Sequence, residues 1–204
     1  MIRYFVFTAA VFVLSGCASM DKEECQIADW QTIGYEDGAK GRALSYLGNH
    51  RKACSDYGIS PDMEHYEQGR LAGLHEYCTP SNGFELGKSG QKFNTVCKPP
   101  LAEDFKLAWS QGFEVHDALS QLRNSERTLK QYQKKAATLH DQIEDAEAEL
   151  VSDGISSKKR KALLAEIKDL NAELEDAESE LLELQDRVLD DRDYLEQVEA
   201  RYHY

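Results

Sequence analysis

The sequence predicts an all-α protein: a small disulfide-stapled helical domain followed by a long antiparallel coiled-coil helical hairpin. Three observations carry this expectation. All five cysteines, all four prolines and twelve of the thirteen glycines lie at or before Gly112, with Gly154 the only glycine beyond it. Within that early region an aromatic-x-x-Gly unit recurs, accompanied by glycine pairs at i, i+4. From Ala118 onward apolar residues return in alternating steps of three and four, the spacing of a coiled-coil seam.

The chain opens on a segment with the grammar of an export signal. Arg3 supplies the positive start, residues 4–13 the apolar run, and small residues follow. The run is too short to span a bilayer, which takes about 20 apolar residues. It ends on Leu14-Ser15-Gly16-Cys17, which resembles the bacterial lipoprotein box. That resemblance implies a signal peptide over 1–16, lipidation (palmitate among the acyl groups) at Cys17, and a linker to residue 24. Two or more acyl chains hold a protein stably where one does not. Ala18-Ser19, with no Asp after the cysteine, is similar to the sorting pattern of outer-membrane lipoproteins, facing the periplasm.

Composition narrows the partners. A formal charge of −13 argues against nucleic acid and against lying flat on anionic lipid. Apart from Cys17 there are four cysteines, Cys25, Cys54, Cys78 and Cys97, an even number that reads as two disulfides in an oxidising compartment. Three pairings are open; Cys25–Cys54 with Cys78–Cys97 is favoured because each closes a local loop. No Cys-x-x-Cys pair suggests a metal site instead.

The small domain, residues 25–117, is expected to be short helices. Its repeated units are Tyr35-Glu-Asp-Gly38, Tyr66-Glu-Gln-Gly69, Phe84-Glu-Leu-Gly87 and Trp109-Ser-Gln-Gly112, and its glycine pairs are Gly34/Gly38, Gly69/Gly73 and Gly83/Gly87. A glycine within a helix costs about 1 kcal/mol against alanine, so a recurring one implies close helix–helix approach, with the neighbouring aromatic packed over the gap. Ser60-Pro61-Asp62 is expected to cap one helix, with Ser60 as N-cap, and Pro99-Pro100 to open another. These units, the Asp29-Trp30 start, Tyr77-Cys78, Cys97 and the lipoprotein box together resemble a family of small bacterial lipoproteins known only as a domain of unknown function. The resemblance covers about residues 25–116. It implies location and fold and transfers no catalytic residue.

Residues 118–204 are expected to form the hairpin. One seam is Leu122, Ser125, Leu129, Tyr132, Ala136, Leu139, Ile143, Ala146 and Leu150; the other runs from Leu163 through Leu174, Leu184 and Asp191 to Tyr202. The turn is placed at 152–157, with Gly154 as the stop and Ser156 or Ser157 as the next N-cap. Both helices run from basic to acidic. Folding at Asp153 sets residue i opposite about 307 − i, so that Arg123, Arg127, Lys130, Lys134 and Lys135 face the acids of 173–183 and Tyr204 returns beside residue 103. The late acids, Asp191 among them, read as a solvated face.

No nucleophile, metalloprotease or phosphate-loop motif is present, and His50, His65, His75 and His116 lack ligand spacing, so the expected protein is not an enzyme and uses no cofactor or metal. The expected role is that of a membrane-anchored envelope lipoprotein, a structural or protein-interaction scaffold presenting its arm to an envelope protein or to itself through the coiled coil. Lys158, Lys159, Arg160 and Lys161 at the tip are candidate contacts for an anionic partner, against internal pairing with nearby acids. The alternative is a peptidoglycan-binding module in which Tyr35, Tyr66, Phe84 and Trp109 stack on sugars.

Overall fold

The computed structural model describes residues 20–204, and the segment carrying Arg3 and Cys17 lies outside them. Among the described residues there are seven α-helices and one short 3-10 turn, with no strand. They are α1 (Lys22–Ile27), α2 (Trp30–Ala39), the turn Leu44–Tyr46, α3 (Leu47–Ser55), α4 (Met63–Tyr77), α5 (Pro80–Lys88), α6 (Leu101–Leu150) and α7 (Ser157–Arg201). No helix among them is long and apolar enough to cross a membrane. The chain divides into two compact units. One holds the described residues up to Cys78 with Asn94–Lys98; the other holds Thr79–Phe93 and Pro99–Tyr204.

The first unit is built on α2 against α4. Asp29 starts α2 by accepting from the amides of Gln31 and Thr32. Asp62 starts α4 by accepting from Glu64 and His65. The cap is therefore Asp62, not Ser60: the carboxylate two residues on reaches two amides, and Pro61 lies outside the helix. Gly34 and Gly38 on α2 interleave with Gly69 and Gly73 on α4. A Cβ at any of the four would stand closer than 3.0 Å to the facing helix's backbone carbonyl, of Tyr66, Arg70, Gln31 and Tyr35 respectively. The expected reason for the glycine pairs thus holds at both helices. Cys25–Cys54 ties α1 to α3 and Cys78–Cys97 ties the end of α4 to the 94–98 segment. The core gathers Cys25, Trp30, Leu47, Cys54 and Tyr66.

In the second unit α5 packs on the start of α6 by the same device. A Cβ at Gly87 would meet the Trp109 carbonyl, and one at Gly112 the Phe84 carbonyl. The likeness extends along the chain: Gly34-Tyr-Glu-Asp-Gly-Ala-Lys-Gly41 is echoed by Gly83-Phe-Glu-Leu-Gly-Lys-Ser-Gly90. Gly41 and Gly90 both take positive φ just past the helix end, at +67° and +74°, a conformation that favours glycine. The two helix pairs are variations on one short sequence plan.

Beyond its α5 contact, α6 continues unbroken and α7 returns along it. Every seam position of the two series is buried or half-buried. Ala136, Leu139 and Ile143 mesh with Leu174 and Ala177, and Val115 and Ala118 with Val198. Gly154 (φ +80°) lies in the connecting turn, and Ser156 caps α7 through Lys159 N. The side-chain register differs from the charge-based expectation. Ser125 and Gln121 donate to Asp191, Arg192 pairs with Glu126 at 3.6 Å, and His140 lies 3.6 Å from Glu178. Ser125 thus meets a residue more than two turns beyond the expected position 182. Tyr204 reaches Gln111 and Phe84 and not residue 103. Helical side chains slant toward their own N-terminus, which moves antiparallel contacts by about one residue on each helix and accounts for only a small part of this offset. Among the described residues the basic block Arg123–Lys135 makes no ion pair within 4.0 Å with the acids of 173–183, so the apolar seam sets the register. Asp191 is not on a solvated face: it is 5 % exposed and held by Gln121 and Ser125.

Candidate functional site

The densest polar chemistry surrounds Asp37, near the end of α2 and 3 % exposed. Gly38, the next residue, allows α4 to come close enough for Tyr66 to reach it. The Tyr66 hydroxyl donates to Asp37 Oδ2 at 2.8 Å, Arg42 Nη1 donates to Oδ1 at 2.8 Å, and His50 Nε2 lies 2.7 Å from Oδ2. Arg42 also sits over the Tyr46 ring, its guanidinium carbon 3.9 Å from the centre, and its carbonyl accepts from Arg70 Nε at 2.7 Å. Trp30, Tyr46 and Tyr66 stand edge-on around His50 at 5.4–6.2 Å.

A carboxylate this deep needs such partners, because an unpaired buried charge costs several kcal/mol. Both oxygens of Asp37 are occupied, which leaves it poorly placed to accept a substrate proton. Burial first, then the hydrogen bond to Asp37, pushes the Tyr66 phenol well above its ordinary value of 10.0, so it stays neutral. The arrangement locks a rigid polar centre and leaves only the edge of His50 and part of Arg42 toward solvent. There a cleft of about 830 Å³ opens, with Met20, Ile27 and Ile33 as apolar walls and Glu36, Lys40, Arg42 and Tyr46 as polar ones. Among the described residues no group of three or more His, Cys, Asp or Glu could hold a metal ion.

The residues singled out in the sequence fall in several places. Tyr35 is exposed at 43 %, Tyr66 is fully buried, and Phe84 is 7 % exposed. Trp109 is half-buried between Phe93 and Phe113, its indole nitrogen donating to the Gln91 carbonyl at 2.9 Å. Tyr66 and Phe84 therefore offer no ring face to a sugar. In the tip, Lys159 pairs with Glu149 at 3.1 Å and Arg160 donates to the Leu150 carbonyl at 3.0 Å, while Lys158 and Lys161 are exposed. Half of the basic cluster is thus spent on closing the turn. Sequence reasoning missed the Asp37 centre. One signal was available: Asp37 is the only acid at a position that the other three units fill with Gln68, Leu86 and Gln111.

Fold and site together define a helical protein with paired-glycine helix contacts, a locked polar centre and an extended hairpin. Residues 29–114 match the model of a family described as a protein of unknown function (DUF2799), so that stretch is a domain of unknown function, as the resemblance implied. No curated protein and no solved structure matches the chain.

Proposed function

We propose that this is a non-enzymatic envelope lipoprotein, tethered through Cys17 to the outer membrane and facing the periplasm, whose work is to hold the α6–α7 rod out toward a partner protein. The rod carries the reading. It is two helices of 50 and 45 residues, joined along a seam of buried and half-buried residues, with α6 also packed on α5 at its start. At 1.5 Å per residue it reaches about 70 Å. Such an element encloses nothing; its use is reach. The occupied oxygens of Asp37 support a structural role for the polar centre, and two disulfides suit an oxidising compartment. The peptidoglycan alternative is weakened by the burial of Tyr66 and Phe84.

Photo-crosslinking from Lys158 or Lys161 in living cells is expected to capture one envelope protein, and Cys17→Ser is expected to release the chain from the membrane fraction. Capture of nothing from either position, with the wild type membrane-bound, defeats the presentation role. Retention on purified peptidoglycan that is lost in Trp109→Ala would establish the alternative.

A further inference from the structure

The cleft beside the Asp37 centre has a composition that the scaffold role does not use. Its apolar side is Met20 and Ile33, partly buried against the core, with Ile27, 83 % exposed, beyond them and Glu24 beside them. Its polar side carries both signs. Arg42 spends one guanidinium nitrogen on Asp37, is steadied by the Tyr46 ring, and keeps further N–H donors. Glu36 and Lys40, 3.5 Å apart, are both more than half exposed at the rim. A guanidinium fixed from behind is a good phosphate ligand, and an exposed carboxylate beside it suits an ammonium.

We infer that this cleft binds a zwitterionic phospholipid headgroup, the phosphate on Arg42, the ammonium on Glu36, and the start of an acyl chain along Ile33, Ile27 and Met20. About 830 Å³ lies within the range of small-ligand sites, roughly 300–1,000 Å³. Position favours a lipid over a free metabolite. Met20 is three residues from Cys17, and three residues span at most about 10 Å. Met20, one wall of the cleft, therefore lies within about 10 Å of the acylated residue; this placement rests on the tethered reading. An anionic lipid fits less well, because the lining carries three carboxylates, Glu24, Glu36 and Asp37, against Arg42 and Lys40.

The test uses the full chain carrying Cys17→Ser in a sugar-headed detergent, titrated calorimetrically with soluble dihexanoylphosphatidylethanolamine and dihexanoylphosphatidylglycerol. One molecule of the ethanolamine lipid is expected to bind, with at least tenfold weaker binding of the glycerol lipid. Arg42→Gln and Ile27→Glu are each expected to weaken the ethanolamine lipid at least tenfold. Because Ile27 is exposed, its variant keeps the fold and decides the matter if Arg42→Gln unfolds. Absence of binding, equal binding of both lipids, or binding indifferent to Ile27→Glu overturns the assignment. The mass of wild-type protein extracted from membranes reads lipidation separately. An unmodified Cys17 defeats the tether and leaves the titration standing, whereas a lipidated Cys17 with no titration signal defeats the lipid site alone.

Discussion

Replacing Gly69 with alanine adds one methyl group, and the structure dictates where it goes. The new Cβ would press into the backbone carbonyl of Gln31, with the Gln31 carbon and Cα also at or inside 3.0 Å. All three are α2 backbone atoms, so no rotamer relieves the clash, and α2 and α4 must part by about 1 Å along their whole contact. Overpacking of this kind costs about 1–3 kcal/mol, and more where the wall is rigid, against a helix-propensity gain of about 1 kcal/mol. A net loss of about 2 kcal/mol is expected. In a unit of 60–100 residues that lowers Tm by about 8–16 °C. Gly48 is the control: it lies in α3 with nothing within 4 Å of its Cβ position, so Gly48→Ala is expected to hold or raise Tm. The assay is the fluorescence melt of Trp30, 9 % exposed in the first unit, in a Trp109→Phe background that leaves it the sole tryptophan. Equal melting of Gly69→Ala and Gly48→Ala would refute the paired-glycine account of the α2–α4 contact.

Tyr66→Phe removes one of three donors to Asp37 and is expected to cost about 1–2 kcal/mol near neutral pH. Because the folded Tyr66 pKa is raised, its contribution is fully present below pH 10 and declines above it as the unfolded phenol ionises; the gap to Tyr66→Phe in urea melts should shrink by up to about 1.4 kcal/mol per pH unit there. Asp191→Ala is expected to destabilise the α6–α7 pair by about 1–3 kcal/mol by stranding the buried Ser125 hydroxyl, whereas Ser125→Ala with Asp191→Leu should recover most of the loss, both read by circular dichroism melts. Reduction is expected to cost the first unit about 3–4 kcal/mol per disulfide, given closures 29 and 19 residues apart, so Trp30 should melt far earlier in dithiothreitol while the far-ultraviolet helix signal of the rod persists.

What was legible in the sequence was local. A 3-4 apolar seam, glycines one turn apart, Gly154 and Ser156 at a turn, and cysteines close in sequence each express a rule acting over a few residues. The structure contains all of them. What was illegible depends on distance or direction. Asp37 and Tyr66 are 29 residues apart, and nothing in their spacing announces that Gly38 lets them touch. The register slid because the meshing of the apolar seam sets it, and exposed charges on the flanks do not. Ser60 lost its capping place to Asp62, whose carboxylate reaches two amides at once. Asp191 fits the seam spacing, but its tolerance there depends on Gln121 and Ser125 from the opposite helix.

The end of α7 is fastened down: Tyr202 and Arg201 engage Glu114, and Tyr204 stacks on Phe84 at 4.6 Å. A fluorophore or affinity tag appended after Tyr204 would therefore sit at the foot of the mast and pry at its moorings. A label meant to sense the far end of the hairpin belongs beside Gly154, at exposed Asp153, and not on Gly154 itself, whose φ of +80° a side chain would strain.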